Sequence, residues 1–191
     1  KSNTKFANIK IDSNFVFKLS VDGVDYRFVP SVSRVVNRSQ DPIDIGNGQF
    51  RHIYEIFDLE VIQGSLVTES YIVDTSDVNQ RFLISNPNVD TSTLKVFVKE
   101  NKFSDFIEEY TLNTDTMSLT DVSTRYFLQE SADGNYEVLF GDGVLGKNLV
   151  SGNELTIRYI TSAGAAVNGL TGQMTMLGKD VPDNIRAATP T

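Results

Sequence analysis

The chain has 191 residues, 40% hydrophobic and 22% charged, with a formal net charge of −8 and a pI near 4.6. These values exclude a disordered chain and argue against a nucleic-acid partner, which needs a clustered positive field; the longest basic cluster, Arg34 to Arg38, carries two charges. With no cysteine there are no disulfides, thiolate metal sites or cysteine nucleophiles, and no apolar run approaches the ~20 residues of a membrane span.

The first residues, Lys1-Ser2-Asn3-Thr4, contain neither an initiator methionine nor the apolar centre of a signal peptide, so the sequence reads as an excerpt from a longer protein. Strand signals then dominate. Phe15 to Val21 and Val24 to Val29 flank Asp22-Gly23, a strong hairpin signal. Phe15, Phe17, Leu19 and Val21 share one parity, as do Val24, Tyr26 and Phe28, which predicts a sheet with one buried face. Asn37 to Gln49 is rich in turn formers and is predicted to be a surface loop or wide turn. His52 to Ile62 is aromatic and β-branched and is predicted to be a strand, turned by Gly64-Ser65 into Leu66 to Val73.

Asp74 to Asn79 is predicted to separate two lobes. Further strands are predicted at Arg81 to Ile84, Thr93 to Lys99, Tyr126 to Gln129, Tyr136 to Phe140 and Leu155 to Ile160, with turns at Asn86-Pro87-Asn88 and Asp133-Gly134-Asn135. Ser104 to Leu112 is ambiguous, because Phe106, Ile107 and Tyr110 fit a helical face; Leu119 to Ser123 can supply one helical turn. Ser162 to Gly169 reads as a small-residue linker, and the tail after Gly178 as loosely held. The predicted class is mainly β, with antiparallel β-sandwich or barrel-like lobes and minor α content. The expected division is a first β lobe over 1–74, a second β-rich lobe over 75–160, and a linker and tail over 161–191 leading to a missing C-terminal region.

Gly141, Gly143 and Gly146 match G-x-G-x-x-G, and Gly141 to Lys147 satisfies G-x-x-x-x-G-K. Both patterns bind phosphate only when a helix opens directly after the glycines. Here Asn148 stands where a P-loop needs a hydroxyl, and a turn cluster leads into the β-prone Leu155 to Ile160. Gly141, Asp142, Gly143 and Gly146 are therefore expected to shape a structural turn, with the Asp142 carboxylate closing an Asx turn. The lone His52 lacks companion ligands for a metal site or triad. Glu130, Asp133, Glu137 and Asp142 supply paired carboxylates, but acids beside hairpin turns ordinarily stay solvated, and EF-hand spacing is absent. No catalytic residue, cofactor or metal is expected.

Tyr126 to Glu130, Asp133 to Val138, Phe140-Gly141-Asp142-Gly143-Val144-Leu145-Gly146-Lys147, Gly152-Asn153, Tyr159 and Gly164 to Gly169 together resemble the baseplate J-like family, the wedge subunits of contractile-tailed phage baseplates. Gly64 to Glu69 and Asn88 to Leu94 are similar to its myovirus branch. The resemblance spans roughly residues 50–170 and implies a non-enzymatic structural role in the virion tail baseplate, assembled in the host cytoplasm. It further implies pairing with other wedge proteins and with a second copy, rearrangement on sheath contraction, and no nucleic-acid or membrane partner. Exposed aromatics near Tyr54 and Phe57 are candidate contacts. Two competing readings remain. Aromatic content of 10% on an acidic β-rich chain suits a carbohydrate-binding or adhesive sandwich, and the glycine segment alone suits an NTP-dependent enzyme.

Overall fold

The computed structural model describes residues 7–115, 119–162 and 172–177, and the backbone of 186–187. The strands in chain order are β1 (Asn8–Ile11), β2 (Val16–Val21), β3 (Val24–Pro30), β4 (Arg34–Asn37), β5 (Ile43–Gly46), β6 (Gln49–Arg51), β7 (Val61–Gln63), β8 (Ser65–Ile72), β9 (Phe82–Ile84), β10 (Val89–Lys99), β11 (Ile107–Leu112), β12 (Arg125–Glu130), β13 (Tyr136–Phe140), β14 (Glu154–Thr161), β15 (Met174–Leu177) and β16 (Arg186–Ala187). The chain forms two compact units, one holding the strands up to β7 together with β15 and β16, the other spanning 66–162.

The first unit centres on an antiparallel sheet in the order β16-β15-β2-β3-β7. Asp22 and Gly23 take φ of 51° and 80°, the positive pair that a two-residue hairpin needs to match strand twist. The register sets Phe17 opposite Phe28 and Leu19 opposite Tyr26. Phe17, Leu19, Phe28 and Met176 are buried together, with Phe15, Val21 and Tyr26 packed against them. Period-two patterning thus put the expected face inward, apart from Val24, which is exposed.

Two expectations for this unit fail. The loop expected over Asn37 to Gln49 contains a hairpin, β5 and β6, whose turn uses positive φ at Gly46, Asn47 and Gly48. The strand expected from His52 to Ile62 does not form. Tyr54 makes an isolated bridge to Arg38, Asp58 takes φ of 54°, which ends extended backbone, and pairing resumes at Val61. Leu59 packs on the core from outside any strand, so apolar content in this segment reports burial before it reports ladder formation. Phe57 is exposed, whereas Tyr54 is half-buried.

The second unit is a nearly closed barrel-shaped sheet in the order β8-β14-β10-β11-β12-β13-β9. A bend at Gly64 separates β7 from β8, as expected. β7 and β8 belong to different sheets, and the Gly64 amide donates to the Arg27 carbonyl at 2.9 Å. Alternate residues of β10 and β14 point inward: Leu94, Val96 and Val98 with Leu155, Ile157 and Tyr159. These fill the interior with Ile84, Tyr110, Tyr126 and Val138, as small barrels require. Tyr71, Phe82, Phe140 and Tyr110 form a chain of edge-to-face contacts with centroids 5.4–5.8 Å apart.

No helix occurs among the described residues, so the expected minor α content is absent there. Ile107–Leu112 is strand β11, with Ile107 exposed and Tyr110 buried, and Thr120 to Ser123 is a single hydrogen-bonded turn. Among the strand pairs whose register is described, one departs from the antiparallel rule. β11 and β12 run parallel, Thr111 opposite Arg125 and Leu112 opposite Tyr126. Most of the 162–169 linker and the tail after 178 lie outside the described residues.

Candidate functional site

β13 delivers Phe140 to the glycine loop at one end of the barrel. A Cβ on Gly141 would lie 2.3 Å from the Gly146 carbonyl carbon and oxygen, so the loop closes on itself backbone to backbone. Gly143 and Gly146 take φ of 85° and 96°, a region that side-chain-bearing residues rarely adopt. Asp142 Oδ1 accepts from the amides of Val144 and Leu145, both at 2.9 Å. Those two amides hold its carboxyl below the ordinary value. The Gly143 amide donates to the Gly146 carbonyl at 3.0 Å, the Gly146 amide to Thr120 at 3.0 Å, and the Lys147 amide to Ser123 at 2.8 Å. Every amide from Gly143 to Lys147 therefore has a partner within the protein.

The groups that a nucleotide site would use are engaged in the same way. Lys147 Nζ pairs with Glu108 of β11 at 2.6 Å. Beyond it no helix opens. Gly152 turns at φ 92° and β14 begins at Glu154. The turn is anchored by Asn153, the one buried polar residue among the described residues, which accepts from the Val150 amide and donates to the Glu100 carbonyl, each at 2.9 Å.

The other candidate residues are scattered. His52 follows β6 in the first unit, and its buried Nδ1 has no hydrogen-bond partner. Glu130 ends β12 and Asp133 sits in the following turn, both exposed. Glu137 is held by Arg81 through two contacts of 3.0 and 2.6 Å. That guanidinium lowers the Glu137 pKa, with partial burial opposing. Among the described residues no group of three or more His, Asp or Glu is placed to hold a metal. An open cavity of about 240 Å³ adjoins the loop, lined in part by Val73, Asp74, Phe82, Gly141 and Asn148, with the Arg81–Glu137 pair in its wall.

The best-built polar cluster was missed by sequence reasoning. β8 and β9 are the two ends of the barrel sheet and share no ladder; side chains join them. Glu69 Oε1 accepts from Tyr159 Oη at 2.6 Å and Ser85 Oγ at 2.7 Å, and Oε2 lies 3.1 Å from Tyr71 Oη. Tyr71 Oη donates to the Leu83 carbonyl at 2.6 Å, and Gln80 Nε2 to the Ile72 carbonyl at 2.9 Å. Burial pushes the Glu69 carboxyl up, but the Tyr159, Ser85 and Tyr71 hydroxyls outweigh it and leave it below its ordinary value. Burial, together with the Glu69 charge, pushes Tyr71 up to about 12 and raises Tyr159 as well. The only local signal is Glu69 two residues before Tyr71 on one strand face; Ser85 and Tyr159 arrive through tertiary structure.

The arrangement is thus a barrel sealed by side chains and braced at one end by a self-satisfied loop. No curated protein matches the chain. The family model described as bacteriophage baseplate wedge protein gp6, third domain, matches residues 66–168, more than half of the chain. Its first matched residue is also the first residue of the barrel unit, and the matched span contains the seam, the glycine loop and every barrel strand bar the first residue of β8. The chain belongs to the family of bacteriophage baseplate wedge proteins, with its barrel corresponding to the gp6 third domain.

Proposed function

We propose that the chain is a non-enzymatic module of a wedge subunit that takes part in baseplate assembly and is carried through the rearrangement that accompanies sheath contraction. Within that reading it contacts other wedge proteins, pairs with a second copy, is assembled in the host cytoplasm, and binds neither nucleic acid nor membrane. The relationship to the baseplate J-like family, carried by the run Phe140 to Gly146, is part of the same proposal.

One observation carries it. The glycine segment, the feature best suited to a ligand, spends every amide from Gly143 to Lys147 on the protein's own carbonyls and on Asp142. A phosphate would have to displace these bonds, each contributing about 1 kcal/mol net, and separate Lys147 from Glu108. The loop is a clasp in this reading, with Gly141, Asp142, Gly143 and Gly146 as its parts.

The test is deletion of residues 66–162 from the parent gene in an otherwise intact phage. Tails that fail to build a baseplate are expected, and full infectivity would contradict the role. Calorimetric titration of the chain with ATP and magnesium should give no saturable heat; micromolar affinity would restore the nucleotide reading.

A further inference from the structure

The two ends of the barrel differ in chemistry. The connections β8–β9, β10–β11 and β13–β14 and the turn before β12 all lie at one end, as strand directions and registers require. Two hydrogen bonds tie the glycine loop to that turn, Gly146 to Thr120 and Lys147 to Ser123. This end exposes Val78 (92%), Phe103 (82%), Phe106 (72%), Val122 (72%) and Val144 (71%), with Ile72, Ile107, Leu145 and Val150 also exposed. Around the opposite end, Leu112 is the sole large apolar side chain exposed among the described residues of this unit. Isolated exposed apolar residues need no explanation, but a set gathered at one end of a small barrel marks an interaction surface.

Charge identifies the kind of partner. Asp74, Asp77, Glu100, Asp105, Asp121 and Asp142 lie in these same connections, and none has an ion-pair partner among the described residues. The cations there are committed: Arg81 to Glu137, Lys147 to Glu108, Lys99 to Glu154, Arg125 to the Thr111 hydroxyl, and Lys102 over the Phe103 ring at 4.9 Å. Two copies meeting through this end would bring carboxylates against carboxylates, a repulsive arrangement. Resting on the wedge-module role, we propose that this end of the barrel docks a different baseplate wedge protein, one whose apolar contact face is rimmed by lysine or arginine. Any contact with a second copy uses another surface.

The probes are the other wedge proteins of the parent phage, purified singly and titrated calorimetrically against the full chain at low and high salt. One of them is expected to bind, with affinity that falls as salt rises. Phe103→Ser with Phe106→Ser should weaken that binding about tenfold or more. Asp105→Lys with Asp121→Lys should weaken it and abolish its salt dependence, while Glu130→Lys at the opposite end changes neither. Melting curves for each variant separate lost contact from lost fold, since all these side chains are exposed. Binding that survives both double variants overturns this surface and leaves the wedge role standing. Self-association removed by the Phe103/Phe106 variant overturns the choice of partner. Failure of every wedge protein to bind overturns the docking surface, and the deletion phage then tests the wedge role separately.

Discussion

Gly141 and Gly143 occupy the same loop for different reasons, and substitution separates them. Gly143 is needed for its φ of 85°, whereas its missing Cβ would meet Asn148 at an ordinary 3.5 Å. Gly143→Val should therefore cost roughly 1–3 kcal/mol of backbone strain, read as a lower urea midpoint. Gly141 has no such φ, but a Cβ there strikes Gly146 backbone at 2.3 Å, so Gly141→Ala should open the loop and lower the midpoint further. Equal or smaller loss at Gly141 would show that the loop yields easily. Lys147→Ala removes one half-exposed ion pair, and its melting temperature should barely move. Gly-Asp-Gly makes a turn closed by its own carboxylate legible in sequence. That the turn docks on Thr120 and Ser123 is not, because those carbonyls lie more than twenty positions earlier.

At the level of strands, the barrel depends on the β8–β9 seam. Glu69→Ala leaves the nearly inaccessible Tyr159 hydroxyl without its acceptor, a loss of about 1–3 kcal/mol. The same cluster sets a pH dependence. Glu69 and Glu137 have folded-state pKa values below the ordinary 4.5, so the unfolded chain takes up protons first as acid is added. Their contribution is complete above 4.5 and disappears as pH falls through the lower folded values. Urea midpoints measured across that window should fall, and Glu69→Gln should flatten the fall. Hairpins such as β2–β3 and β12–β13 were legible because Asp-Gly and Asp-Gly-Asn fix a local turn between alternating arms. The parallel β11–β12 pair was not, since nothing local in either strand specifies the direction of its neighbour. His52 to Ile62 misled for a related reason: Leu59 packs on the core, but a ladder forms only from Val61 onward.

For the molecule as a whole, the barrel unit has its own continuous core, from Val73 and Ile84 through Leu155 to Tyr159. Residues 66–162 expressed alone should therefore fold, giving a β-type circular dichroism spectrum and one cooperative melt. A broad, non-cooperative melt would mean that the barrel depends on the first unit. Short strand patterns punctuated by Gly, Asn, Asp and Pro turns indicated the mainly β class. The seam and the acidic, apolar barrel end arise only when distant loops are brought together. The most direct test of the scaffold role is cryo-electron microscopy of the parent phage's tail before and after contraction. The 66–162 barrel is expected within the baseplate in both states, its β8–β9 seam closed and its glycine loop empty. A baseplate without this barrel, or nucleotide density between Gly141 and Lys147, would contradict it.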